Sequence, residues 1–145
     1  MKLKIYKEYE DADIPTKSIK TDGGYDIYSF NKVVIRPGER ELVPIGIRII
    51  APSGFYYTFA PRSGLAFKEN VIPSHHNVMD SGYTGSCAVL MLNRGSEEYT
   101  INKRERFCQL ILHKVPEMEV DVISSKEFNS LNTERGEKGM GSSGK

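Results

Sequence analysis

This sequence predicts an all-β fold, a sandwich or a closed barrel, because many short apolar runs, the clearest of them alternating with period two, are separated by turn residues. No long segment carries a helical period. The clearest run is Val43 to Ile49, where Val43, Ile45, Ile47 and Ile49 alternate with Pro44, Gly46 and Arg48 in the pattern of a strand with one buried face. Phe55, Tyr57 and Phe59 repeat the alternation after the turn Pro52-Ser53-Gly54. Further apolar runs at Cys87 to Leu92, Tyr99 to Ile101, Phe107 to Leu112 and Val120 to Ile123 are expected to be strands as well. Turn signals stand at Pro37-Gly38, Ser81-Gly82 and Asn93-Arg94-Gly95-Ser96. Ser124 to Leu131, with Leu65 to Asn70 as a second candidate, has room for a turn or two of helix, so at most one short helix is expected.

The chain has 145 residues, the size of one domain that buries about 68–70% of its unfolded surface. It is 39% apolar and 27% charged, with 20 basic against 19 acidic side chains. Nucleic acid and anionic membranes attract a basic excess, which this chain lacks, so neither is an expected partner. Cys87 and Cys108 sit inside apolar runs, which predicts two buried free thiols and a reducing compartment. The longest wholly apolar run, Cys87 to Leu92, is far short of the roughly 20 residues that span a bilayer. Met1-Lys2-Leu3-Lys4 has no apolar stretch behind it that would make a signal peptide. A soluble intracellular protein, cytoplasmic or nuclear, is expected. The last ten residues, Gly136 to Lys145, hold four glycines and two serines and read as a flexible arm. Gly139 to Lys145 also spells G-x-x-x-x-G-K, but a P-loop needs a helix after it and the chain ends there.

Chemistry is concentrated in a few places. Ala60-Pro61-Arg62-Ser63-Gly64-Leu65-Ala66 sets a guanidinium, a hydroxyl and a glycine amide directly after a strand, three donors suited to an anion or to an ordinary loop. Gln109 is a lone amide inside an apolar run, and a buried amide must be paired with backbone or ligand. Met79-Asp80-Ser81-Gly82-Tyr83-Thr84-Gly85 reads as a hairpin turn with a carboxylate and a ring at its tip, where the aspartate either serves chemistry or caps its own turn. Tyr25-Asp26 has the same two readings. His75-His76 does not make a zinc site, since adjacent residues of an extended segment point to opposite faces.

Taken in order, these segments resemble the trimeric deoxyuridine triphosphatases, or dUTP pyrophosphatases. Five match in the family's order between Gly23 and Gly144: Gly24-Tyr25-Asp26-Ile27-Tyr28-Ser29; Ala60 to Ala66; Val78-Met79-Asp80 with Tyr83 and Gly85; Arg106-Phe107-Cys108-Gln109-Leu110-Ile111; and Arg135-Gly136 with Gly139-Met140-Gly141-Ser142-Ser143-Gly144. The resemblance implies a distorted jelly-roll β-barrel over residues 1–134 and an arm, 135–145, that closes over the active site. It implies hydrolysis of dUTP to dUMP and pyrophosphate with magnesium, by attack of an Asp80-activated water on the α-phosphate. By the same resemblance Tyr83 packs on the deoxyribose and excludes a 2′-hydroxyl. Arg62, Ser63, Gly64 and Gln109 bind phosphate oxygens, and Asp26 reaches magnesium through its waters. Asn77 lies in the stretch that reads the uracil edge, and Arg135, Met140, Gly141 and Ser142 belong to the lid. The implied assembly is a homotrimer with sites at subunit interfaces.

Three departures from the family accompany the resemblance. Met140 stands where an aromatic ring is usual, Ser74-His75-His76-Asn77 replaces smaller residues, and Arg104-Glu105 replaces Gly-Asp. Two other readings share the fold. A dCTP deaminase needs a carboxylate on the strand after the Asp80 turn, and Ser86 to Asn93 contains none. A non-catalytic nucleotide-binding or regulatory protein would keep the pocket and lose turnover.

Overall fold

A computed structural model describes residues 1–74 and 78–136. Its strands, in chain order, are β1 (Lys4–Lys7), β2 (Gly24–Tyr28), β3 (Val33–Ile35), β4 (Arg40–Pro44), β5 (Ile47–Ile50), β6 (Phe55–Pro61), β7 (Val71–Pro73), β8 (Ala88–Asn93), β9 (Tyr99–Ile101) and β10 (Arg106–Lys114). They form four small antiparallel sheets, ordered β1-β5, β2-β10-β6, β3-β9 and β4-β8-β7. Among the described residues the hydrogen-bonded ladders do not close into one ring, so the fold is a distorted jelly roll and not a continuous closed barrel. One core fills it, with Ile27, Ile35, Val43, Ile49, Tyr57, Phe59, Val89, Met91, Phe107 and Leu110 among its buried side chains.

The alternating run from Val43 to Ile49 is two strands of different sheets. Gly46 takes a φ of +69°, open to glycine at little cost, and turns the chain between β4 and β5. The burial alternation survives the bend, since Val43, Ile45, Ile47 and Ile49 are all core residues. Gly54, at φ +76°, closes the expected turn ahead of β6, where Phe55 N–H bonds to Pro52 O at 3.1 Å. Two short helices occur where at most one was expected: α1 (Ser63–Lys68), shifted toward its N-terminus from the expected span, and α2 (Ser125–Ser130). Ser124 caps α2 by accepting from Glu127 N–H at 3.2 Å. The expected strand at Val120 to Ile123 does not form. That segment pairs with none of the described strands, and Val120 and Val122 are 86% and 92% exposed. No described helix is long and apolar enough to cross a membrane.

Both cysteines are buried and free, as the sequence predicts. Burial, helped by the nearby Asp26 carboxylate, pushes the Cys108 thiol well above its ordinary range, so it stays protonated and inert.

Candidate active site

The sheet β2-β10-β6 sets a row of residues side by side. Gln109 on β10 stands opposite Asp26 on β2 and opposite Ala60 on β6. Two residues beyond Ala60, where β6 ends, Arg62 turns back onto this row. Its Nε lies 3.0 Å from Asp26 Oδ1, and Arg106 Nη1 lies 3.2 Å from Asp26 Oδ2. Arg62 Nη1 also donates to Arg106 O at 2.8 Å, which fixes the guanidinium plane. Two cations therefore face one carboxylate. Asp26 is nearly covered, with 14% of its side chain exposed, while Arg62 and Arg106 keep 31% and 45%. Each guanidinium has five N–H donors, so several remain for a second anion at a site with a local excess of positive charge.

Gln109 is half-buried and donates from Nε2 to Pro61 O at 3.2 Å, which answers how the lone amide is paired. Its Oε1 faces Gly24, where an added Cβ would fall 2.7 Å away, so a larger residue there would displace the Gln109 amide from this position. Ser63 and Gly64 are exposed in the first turn of α1. Arg62 precedes that turn as its N-cap and makes no side-chain cap bond to the turn's first N–H groups. Arg106, which carries no role in the expectations drawn from the sequence, belongs with these groups. Its signal was present, a basic residue opening the strand three positions before Gln109.

A cleft of about 470 Å³ adjoins the cluster, with Arg62, Gly64, Lys68, Tyr99, Arg104 and Arg106 on its walls. Arg104, one of the departures, occupies the left-handed region at φ +67° and is held there by two bonds to Asp13, Nε–Oδ2 at 3.0 Å and Nη2–Oδ1 at 2.7 Å. Glu105 closes the same turn by accepting from Asn102 N–H at 2.8 Å and from Tyr99 Oη at 2.9 Å.

The Asp80 turn lies elsewhere. Met79 and Tyr57 exchange two backbone bonds, at 2.9 and 3.1 Å, and Tyr57 is itself pinned in the core by its hydroxyl, which donates to Ile49 O at 3.3 Å. Tyr83 N–H bonds to Asp80 O at 3.1 Å, closing the turn with the Asp80 side chain exposed. The Tyr83 ring folds across Gly85, where an added Cβ would stand 2.6 Å from the ring carbon Cζ, and its hydroxyl donates to Ser86 O at 3.0 Å. From Tyr57 to Arg62, just past the end of β6, the extended chain advances five residues, about 16 Å at roughly 3.3 Å each. Within one chain the turn and the Arg62 cluster therefore stand toward opposite ends of β6. Arg135 is exposed in a turn beyond α2. Asn77, Met140, Gly141 and Ser142, together with His75 and His76, lie outside the described residues.

Asp26, Gln109, Arg62 and Arg106 stand together on an all-β scaffold, and the spare guanidinium donors make the row chemically suited to an anion. Comparison with known proteins is more specific. The family model described as dUTPase matches residues 10–144. The deoxyuridine 5′-triphosphate nucleotidohydrolase of Nautilia profundicola is 38% identical over all of both chains, and that of Candida albicans is 38% identical over 99% of this chain and 88% of its own. The structure of a Staphylococcus bacteriophage 80alpha dUTPase with dUpNHpp superposes with a TM-score of 0.89 at 26% identity, covering 99% of this chain and 98% of that one. The chain belongs to the dUTPase family.

Proposed function

We propose that this protein is a dUTP diphosphatase, converting dUTP to dUMP and pyrophosphate. The observation that carries the reading is the meeting of Arg62, Gln109 and Asp26, from three separate family segments, on one sheet row beside the first turn of α1. Arg62, Ser63, Gly64 and Gln109 take the phosphate oxygens, with Arg106 holding Asp26 in place. Asp80, exposed at its turn, acts as the base that draws a proton from the water attacking the α-phosphate. Tyr83 presents its ring to the deoxyribose. Asn77 belongs to the uracil-reading stretch, and residues 135–145, with Arg135, Met140, Gly141 and Ser142, form the arm that closes the site.

Among the described residues no three His, Cys, Asp or Glu side chains gather to cage a metal. A magnesium ion carried in on a triphosphate keeps most of its waters and takes few protein ligands. Asp26 would accept from those waters, and the ion, when bound, neutralises phosphate charge.

The active unit is a homotrimer. Arg62 and Asp80 diverge along β6 in one chain, and neighbouring chains are what bring a cluster from one subunit to a turn from another. The segment from Glu117 to Val122 supports this, since apolar Met118, Val120 and Val122 alternate with Glu117, Glu119 and Asp121 in strand period, and all are exposed in the single chain. Two free, buried thiols fit a soluble intracellular enzyme.

Pyrophosphate release measured with dUTP, UTP, dCTP and dTTP tests the reading, with dUTP expected to be preferred. Asp80→Asn should bind dUTP and lower kcat by about 10²–10⁴, the usual contribution of a positioned base. Tight dUTP binding without pyrophosphate release in the parent would instead identify a non-catalytic nucleotide-binding protein.

A further inference from the structure

The loop that carries Tyr83 is braced from outside by groups that the reaction does not use. Glu8 follows β1, where its N–H bonds to Gly46 O at 3.0 Å, and only 17% of its side chain is exposed. One carboxylate oxygen, Oε1, accepts from both Arg48 Nε, at 2.9 Å, and the Ser86 hydroxyl. Arg48 stands on β5 opposite Tyr6 and reaches the loop a second time, from Nη1 to Thr84 O at 3.4 Å. The residues so held, Thr84 and Ser86, flank Gly85, across which the Tyr83 ring lies, and Ser86 O is the acceptor of the Tyr83 hydroxyl.

A ring that excludes a 2′-hydroxyl by contact works only while it stays in place. Misplacement of a site group by about 1 Å can cost on the order of a hundredfold. The loop from Gly82 to Thr84 is exposed, and exposed loops move unless something anchors them. Charge-assisted bonds are roughly twice as strong as neutral ones, and here two of them converge on a single carboxylate oxygen. We propose that Glu8 is a positioning residue for sugar recognition, holding the Tyr83 ring through Ser86 and Arg48 where a 2′-deoxyribose fits and a ribose does not. This rests on the reading of Tyr83 given above.

Steady-state kinetics of the full chain with dUTP and UTP tests it, using Glu8→Ala, Glu8→Gln and Ser86→Ala, with Tyr83→Ala as the reference and melting temperatures taken alongside. In Glu8→Ala the preference for dUTP should fall about tenfold, through KM, with kcat for dUTP within about twofold of the parent. Ser86→Ala should shift the preference in the same direction. Glu8→Gln keeps an acceptor oxygen without its charge and should recover part of the loss. An unchanged preference in Glu8→Ala while Tyr83→Ala lowers it overturns the positioning role and leaves the sugar reading standing. If Tyr83→Ala itself leaves the preference unchanged, both fall. Equal losses on both substrates, carried by kcat with a lowered melting temperature, would mark Glu8 as purely structural and also overturn the proposal.

Discussion

The phenol of Tyr99 lines the cleft beside Arg62 and donates to the Glu105 carboxylate at 2.9 Å. Burial first, then that bond to an anion, pushes its pKa up to about 12 from 10.0. The folded state therefore favours the neutral phenol more than the unfolded chain does. Sign follows directly: this contribution is fully present below pH 10 and is lost as the pH rises from there through about 12. Urea unfolding of the parent should show stability declining across that window, and Tyr99→Phe should remove that part of the decline. A parent and variant with parallel pH profiles would show that Tyr99 does not titrate in this way.

At the scale of elements, the bend between β4 and β5 is the point where one alternating run is shared between two sheets. Gly46 makes it possible in two ways, by its positive φ and by its bare Cα, since an added Cβ would lie 2.8 Å from the ring of Phe30. Phe30 is stacked on Tyr9 with centroids 4.4 Å apart, so the ring that would have to give way is already packed on one face. Gly46→Ala should lower stability by roughly 2–3 kcal/mol, combining about 1 kcal/mol of backbone strain with the cost of overpacking. Chemical denaturation measures it. A loss well under 1 kcal/mol would mean the bend relaxes freely.

At the scale of the molecule, the exposed alternating segment offers a test of the proposed trimer, in which each site is shared between chains. Val120→Asp changes a residue that touches little within its own chain, so the subunit should fold with a nearly unchanged melting temperature. Light scattering should then report a smaller species than the trimer of the parent, with activity lost together with the assembly. A fully active monomer, parent or variant, would contradict a site shared between chains. Deleting residues 135–145 separates the arm from the assembly. The trimer should persist while kcat falls sharply, because water is no longer excluded from the phosphates. Unchanged kcat would show that the arm does not close the site.

Much of this protein is legible in its residues, because the signals concerned are local. Period-two alternation marks the faces of β5 and β6, continuous apolar runs mark β8 and β10 as strands without telling their faces apart, and the turns at Gly38 and Gly54 are written in glycines that take a positive φ. The five family segments, read in order, name Arg62, Gln109 and Asp26 before any contact between them is known. What depends on pairing was not readable. The split at Gly46, the absence of a strand at Val120 to Ile123 and the unclosed ladders all follow from which edge lies beside which, and alternation specifies a face without specifying its neighbour. Arg106 joins Asp26 because β2 and β10 pair in one particular register, and Glu8 reaches Ser86 across 78 positions of sequence because β1 lies on β5. A side chain's chemistry is carried by its own residue, whereas its partners are chosen by the packing of the whole chain, and only the tertiary structure contains that choice.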